Sequence, residues 1–138
     1  MTPEQKQLVR DSFAKLVPIA DDAAALFYQR LFTLDPKLRA LFTHDMKEQG
    51  RKLMSMIATA VAQLDKVEAL VPVLRELGKR HVGYGVRDSD YDTVATALLW
   101  TLEQGLGADF TPALKAAWTT CYGVLAGEMK AGGRQPAA

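Results

Sequence analysis

Apolar residues recur along this chain at steps of three and four, with no convincing alternation at steps of two, and this pattern predicts helices throughout. The first stripe is Val9, Phe13, Leu16 and Val17. Ahead of it stands Thr2-Pro3-Glu4-Gln5, with Thr2 as N-cap, Pro3 in the first turn and Gln5 closing a capping box. Pro18 ends that helix, since proline has no amide to donate and restricts the residue before it. A second stripe, Ala24, Phe27, Tyr28, Leu31 and Phe32, follows a cap at Asp21 or Asp22. Asp35-Pro36 opens a short turn that ends in Leu41-Phe42, and Thr43-His44-Asp45 is a polar connector. Residues 46–64 make the next helix, with Gln49, Leu53, Met56 or Ile57, Ala60, Val61 and Leu64 inward. Gly50 beside Gln49 permits a second helix to approach closely.

Asp65-Lys66-Val67-Glu68 has the form of a capping box for the segment leading to His81, with Pro72 restarting the helix. Leu70, Leu74, Leu77 and His81 share one stripe there, with Val73 beside it, while Arg75, Glu76, Lys79 and Arg80 can face water. Gly83 and Gly85 stop the helix. Asp88 or Ser89 caps another, which carries Tyr91, Val94, Ala95, Leu98 and Leu102 inward and ends at Gly105 or Gly107. Thr111-Pro112 starts the last helix, whose stripe is Leu114, Ala117, Trp118, Cys121, Leu125 and Met129. The expected architecture is a single all-α domain over residues 1–130, with about six principal helices and a disordered tail at 131–138.

Composition narrows the function more than the fold. At 138 residues and 49% hydrophobic there is material for one core. Seventeen basic residues against sixteen acidic ones leave a net charge of +1, so nothing electrostatic favours nucleic acid or an anionic membrane. Cys121 is the only cysteine, which excludes an internal disulfide and suits a reducing compartment. The polar start lacks the apolar core of a secretion signal, and no run of eighteen apolar residues occurs. A cytoplasmic, monomeric protein with neither membrane nor nucleic acid as partner is expected.

One cysteine and two histidines cannot assemble a zinc site of the usual ligand count. Neither a phosphate-cradling glycine loop nor a serine nucleophile elbow is present. What stands out is that three separate apolar stripes carry one polar group each, Tyr28, Gln49 and His81, with Phe42 between the first two. Each has a bland reading: Tyr28 as a core tyrosine bonded to a backbone carbonyl, His81 as a core histidine with satisfied nitrogens. Together they admit another. A neutral imidazole can be the single protein ligand of a haem iron while a phenol and an amide address a small molecule on its far side. His44, without apolar periodicity around it, reads as a solvated loop residue, and Cys121 as a small buried hydrophobe.

In order and spacing, several stretches resemble the globin family from about Thr2 to Met129. They are Leu26-Phe27-Tyr28-Gln29-Arg30-Leu31-Phe32, Leu41-Phe42, Gln49-Gly50-Arg51-Lys52-Leu53-Met54 and Leu77-Gly78-Lys79-Arg80-His81 with Tyr84-Gly85-Val86. Ala116-Ala117-Trp118 with Tyr122-Gly123 completes the set. The pattern is most similar to neuroglobin-like and single-domain bacterial globins, with kinship to the haem domain of flavohaemoglobins. This resemblance implies a non-covalent b-type haem, since no Cys-x-x-Cys-His is present. It implies His81 as proximal iron ligand, Phe42 as the wedge on the haem edge, and Tyr28, Gln49 and Leu53 on the distal side. Leu77, Val86, Tyr91 and Val94 would line the porphyrin, and Lys52 and Arg80 would meet its propionates.

Two departures bear on activity. Gln49 stands where many globins have a distal histidine, so two-histidine coordination would need His44 and a large loop movement. Flavohaemoglobins pair the proximal histidine with a tyrosine, matched by Tyr91, and with a glutamate on the last helix, whose place falls at about Gly133. The resemblance also stops where a flavin and nicotinamide reductase module would begin. The expected function is reversible binding of O2, and of CO and NO, at a pentacoordinate iron with high oxygen affinity. The alternatives are a nitric oxide dioxygenase served by a separate reductase and, third, a gas or redox sensor.

Overall fold

The structure, a computed structural model, describes residues 1–42 and 45–134. Six α-helices account for most of them: α1 (Pro3–Leu16), α2 (Ala20–Leu34), α3 (Met46–Ala62), α4 (Val67–Gly83), α5 (Asp88–Leu106) and α6 (Pro112–Gly133). Short stretches of 3-10 helix at Val17–Ile19, Pro36–Leu41, Leu64–Lys66 and Gly107–Asp109 bridge several of them, and no strand occurs among the described residues. The caps explain most boundaries. Thr2 and Gln5 exchange two 3.1 Å hydrogen bonds at the head of α1, backbone amide to side chain in both directions. The Thr111 hydroxyl accepts from the Leu114 amide at 3.2 Å, and Asp35 accepts from Lys37 to open the turn before Phe42. At the far end of α5, Gly107 takes a φ of 56°, open to glycine at little cost.

Several sequence expectations change, among them the cap of α5, which is Arg87, with Asp88 and Ser89 already inside the helix. Asp21 and Asp22 lie inside the first turn of α2, where their charge still meets the positive end of the helix, while Ile19 is the N-cap. Asp65 does not cap α4; its carboxylate is drawn across to α1, 3.3 Å from Lys6 Nζ and 2.8 Å from Arg10. Lys66 is the N-cap instead and has no side-chain bond. Pro72 interrupts nothing: α4 runs through it. Burial of Leu70 and Leu74 on either side, each worth about 1.5–3 kcal/mol, offsets the one backbone bond that proline gives up. Lastly, α6 continues through Gly133, past the boundary expected at residue 130, because its last turn is pressed against α4.

Two cores organise the helices. In the first, α1, α5 and α6 meet around Phe13, Leu102 and Trp118; the Phe13 and Trp118 rings lie 6.5 Å apart. The Trp118 indole N–H donates to the buried Ser12 hydroxyl at 2.9 Å, and that hydroxyl donates back to the carbonyls of Leu8 and Val9. In the second core, α2 lies between α3 and α5 around Phe27, Tyr28, Leu31, Leu38 and Ala97. Gly50 is what lets α3 reach α2, since a methyl group there would stand 2.9 Å from the Ala24 methyl. The fourth helix behaves differently. It packs chiefly along α6, and among the described residues its backbone scarcely approaches α3 or α5.

Candidate functional site

The second core gathers most of the residues singled out on the stripes of α2, α3 and α5. Tyr28 is 7% exposed and ringed by aromatics: Phe27 at 5.0 Å and Phe42 at 5.3 Å edge-on, and Phe32 stacked at 6.0 Å. Phe42, Leu53 and Val94 are partly buried against the same cluster. Phe42 follows its 3-10 turn directly, and the Arg39 guanidinium donates to its carbonyl at 2.8 Å, fixing where the chain leaves the turn. Burial pushes the Tyr28 phenol up to about 12, and the Gln49 side chain beside it offsets part of that rise. Tyr28 is therefore a neutral donor at any physiological pH, with an amide as its polar neighbour. Gln49 itself is half-buried in the first turn of α3, its backbone amide bonded to Asp45, the N-cap of that helix. Asp45, expected as part of a connector, is thus the residue that starts the helix carrying Gln49, its carboxylate accepting from the Lys47 amide at 3.0 Å.

On α4, His81 is half-buried in the last turn. Its Nδ1 lies 2.8 Å from the Leu77 carbonyl, an acceptor only, so in the bonded form Nδ1 carries the proton. In the neutral ring the lone pair then sits on Nε2, the form that binds a metal. Burial holds the imidazole below its ordinary pKa, the Leu77 bond pulls the other way, and Arg80 adds to the depression. Neutrality near pH 7 follows. The turn after the helix is tightly bonded: Val86 N–H returns to the His81 carbonyl at 3.0 Å, across Gly85 at φ 95°. Arg87 N–H then donates to the buried Asp90 carboxylate at 2.9 Å, which fixes the start of α5.

The remaining residues divide. Leu77 and Val86 are half-buried on either side of His81 along the chain, and Arg80 is exposed beside it. Lys52 is exposed on α3 and lies 3.7 Å from Glu48 one turn earlier. Tyr91 is buried but turned toward α6. Tyr122 OH donates to its carbonyl at 2.7 Å, Lys130 Nζ stands 5.5 Å over its ring, and with Val82, Val86 and Met129 it lines a cavity of about 120 Å³. It does not share the aromatic cluster of Tyr28. Burial and the Asp88 charge raise its phenol. His44 lies outside the described residues. Cys121 is buried in the first core, its thiol raised to about 11 by burial.

Two sets of groups thus stand on different helices, one on α2 and α3 and the other on α4. One offers a phenol and an amide set among aromatic and aliphatic side chains; the other offers an imidazole with a free lone pair. No cluster of three or more metal-binding side chains occurs among the described residues, so His81 stands as a lone imidazole donor rather than part of a protein cage. A family model described as Globin matches residues 25–129. The chain is 30% identical to a neuroglobin of Danio rerio, over 96% of this chain and 92% of that protein. It is 29% identical to neuroglobin-1 of Oncorhynchus mykiss over the same shares. Among solved structures it is similar to an engineered carbene transferase, a variant of a proposed nitric oxide dioxygenase from Rhodothermus marinus. That match has a TM-score of 0.87 and 28% identity, and it covers 96% of this chain and 93% of the other.

Proposed function

This chain belongs to the globin family, and from that premise we propose that it holds one b-type haem non-covalently through His81 and binds oxygen and other diatomic gases reversibly. The observation that carries the reading is the state of His81: half-buried, neutral near pH 7, its Nδ1–H held by the Leu77 carbonyl and its lone pair left on Nε2. A bound haem would supply an iron able to take a small gas. The protein's own residues do the rest. The Leu77 carbonyl fixes the ring's tautomer and its rotation, so that Nε2 is presented in one direction. Phe42, Leu53, Val94, Leu77 and Val86, all half-buried, are apolar surface awaiting a flat apolar partner. Lys52 on α3 and Arg80 on α4 are exposed cations suited to the two propionate carboxylates.

Tyr28 and Gln49 govern the gas. A hydrogen bond to a charged group is worth about 1.5–3 kcal/mol, and oxygen acquires partial negative charge when it binds. One donor from Tyr28 therefore slows release roughly 10- to 150-fold, and Gln49 adds a second or orients the first. High oxygen affinity follows. The decisive test is His81→Ala. It should yield protein with little bound haem, or haem retained only with added imidazole, whereas His44→Ala leaves ferric and ferrous spectra unchanged. Normal haem content in His81→Ala would end the proposal.

A second reading, nitric oxide dioxygenation, is favoured by the likeness to the Rhodothermus marinus protein and by the same distal donor pair. In it oxygen, nitric oxide and one electron per round give nitrate, and a separate reductase must supply the electron. Sustained nitric oxide consumption at low protein concentration, with a reductase provided, supports it. A single stoichiometric round supports the binder.

A further inference from the structure

We infer that the position of His81 is set by a glycine contact between α4 and α6, and that Gly78, Gly132 and Gly133 are positioning residues for the proximal ligand; this rests on the role of His81 proposed above. The helix bearing His81 has α6 as its main support, since among the described residues the backbones of α3 and α5 scarcely approach it. Leu70 and Leu74 anchor its first half against Ala60, Met56 and Leu125, but the half that carries His81 has no comparable apolar anchor. What it has is backbone against backbone. A methyl group on Gly78 would fall inside the Met129 carbonyl, and one on Gly132 inside the Arg75 carbonyl. Carbon needs roughly 3.3 Å from a carbonyl oxygen, so either substitution must part the helices by on the order of 1 Å. Gly78 and Gly132 are both buried; Gly78 lies inside α4, where glycine is otherwise unfavourable, and Gly132 lies in the last turn of α6.

The contact lies next to the ligand. Gly78 is three residues before His81, roughly 4.5 Å along the axis and on nearly the same face. Gly133 touches the residue after it: a methyl there would come 2.7 Å from Val82 Cγ2. The Arg75–Glu128 pair at 3.0 Å ties the same two helices one turn away, but between partly exposed groups that can adjust. Gly78 and Gly132, set against backbone, cannot. They therefore decide how far the His81 end of α4 stands from α6, and a displacement on the order of 1 Å there would move Nε2 with it.

The experiment compares alanine substitutions of equal chemistry in the haem-loaded protein. Gly123 and Gly127, also on α6, have open space where a methyl would go and serve as controls. Resonance Raman spectra of the ferrous, ligand-free form report the iron–histidine stretch, and haem transfer to an acceptor globin reports loss. Gly78→Ala should shift the stretch and speed haem loss about tenfold, well within the roughly hundredfold that a 1 Å misplacement can cause. Gly123→Ala and Gly127→Ala should leave both unchanged. Should Gly78→Ala fail to fold, Gly133→Ala decides: it should shift the stretch more mildly, and the added substitution Val82→Ala should restore it. In the haem-free protein the ¹⁵N signals of the His81 ring should move in the same variants. An unshifted stretch in folded Gly78→Ala, or an effect of Gly133→Ala that Val82→Ala does not relieve, overturns the inference. A parent protein whose stretch survives His81→Ala would instead overturn the role of His81.

Discussion

Replacing Tyr28 by phenylalanine removes one oxygen atom and leaves the shape of the second core almost unchanged. The ring is wedged by Phe27, Phe42 and Phe32 at 5.0–6.0 Å, so phenylalanine has no room to tilt. Folding should suffer little, because the hydroxyl's protein neighbour is the half-buried Gln49 amide, which can turn to water. The effect is then confined to the gas. Loss of one hydrogen bond to a partly charged ligand, about 1.5–3 kcal/mol, should accelerate oxygen dissociation roughly 10- to 150-fold. Stopped-flow displacement of oxygen by carbon monoxide measures it directly. Gln49→Leu should accelerate dissociation less, since the amide can accept from Tyr28 as well as donate to the ligand. The double variant should be non-additive, as neighbours sharing one ligand are coupled. Carbon monoxide, less polar when bound, should respond much less to either change. An oxygen off-rate in Tyr28→Phe within about a factor of two of the parent, under 0.5 kcal/mol, would mean that Tyr28 is a core tyrosine and nothing more.

Ser12→Ala strands the buried Trp118 indole N–H and should lower unfolding free energy by about 1–3 kcal/mol in urea titrations, with haem spectra unchanged. Cys121, buried and with its thiol raised to about 11, should resist thiol reagents at pH 8 until denaturant unfolds the chain; immediate labelling of the native protein would contradict its burial. The haem-free protein should lose stability as pH falls. His81 has a folded pKa below 6.5, so the unfolded state binds more protons between those two values and stability drops through that window, then levels off. His81→Gln should remove that part of the slope in chemical denaturation followed from pH 7.5 to pH 5.

The stripes on α2, α3 and α5 were legible because each buries one face, and period alone picks out Phe27, Tyr28, Leu53 and Val94 as inward. The caps at Thr2 and Thr111 were legible for the same local reason: side chain and amide lie three residues apart. Asp65 was misread because its partners, Lys6 and Arg10, stand 55 and more positions away, and a nearby pair of charges outweighed a local cap. Tyr91 shows the same limit. Its place on the α5 stripe predicted an inward ring, but inward at that end of the helix means toward Lys130 and Tyr122 of α6. Residues 131–133 read as tail because Gly132 and Gly133 are poor helix formers. Only the pairing with α4 makes the absence of a side chain an advantage there.

The two sides of the proposed haem site are therefore unequal in what they can do to a bound gas. On the distal side, as proposed above, Tyr28 and Gln49 would offer up to two donors to a bound gas beside an aromatic cluster. On the proximal side the acceptor recorded for His81 is the Leu77 carbonyl. A neutral carbonyl draws less on the Nδ1 proton than a carboxylate would, so the imidazole passes less electron density to a metal on Nε2. At the end of α6 nearest that helix stands Gly133, which brings no carboxylate there and whose added methyl would come 2.7 Å from the Val82 side chain. Under the function proposed above, two distal donors with a weak proximal push would suit a protein that holds oxygen, and nitric oxide dioxygenation with an electron supplied from outside would be compatible with it.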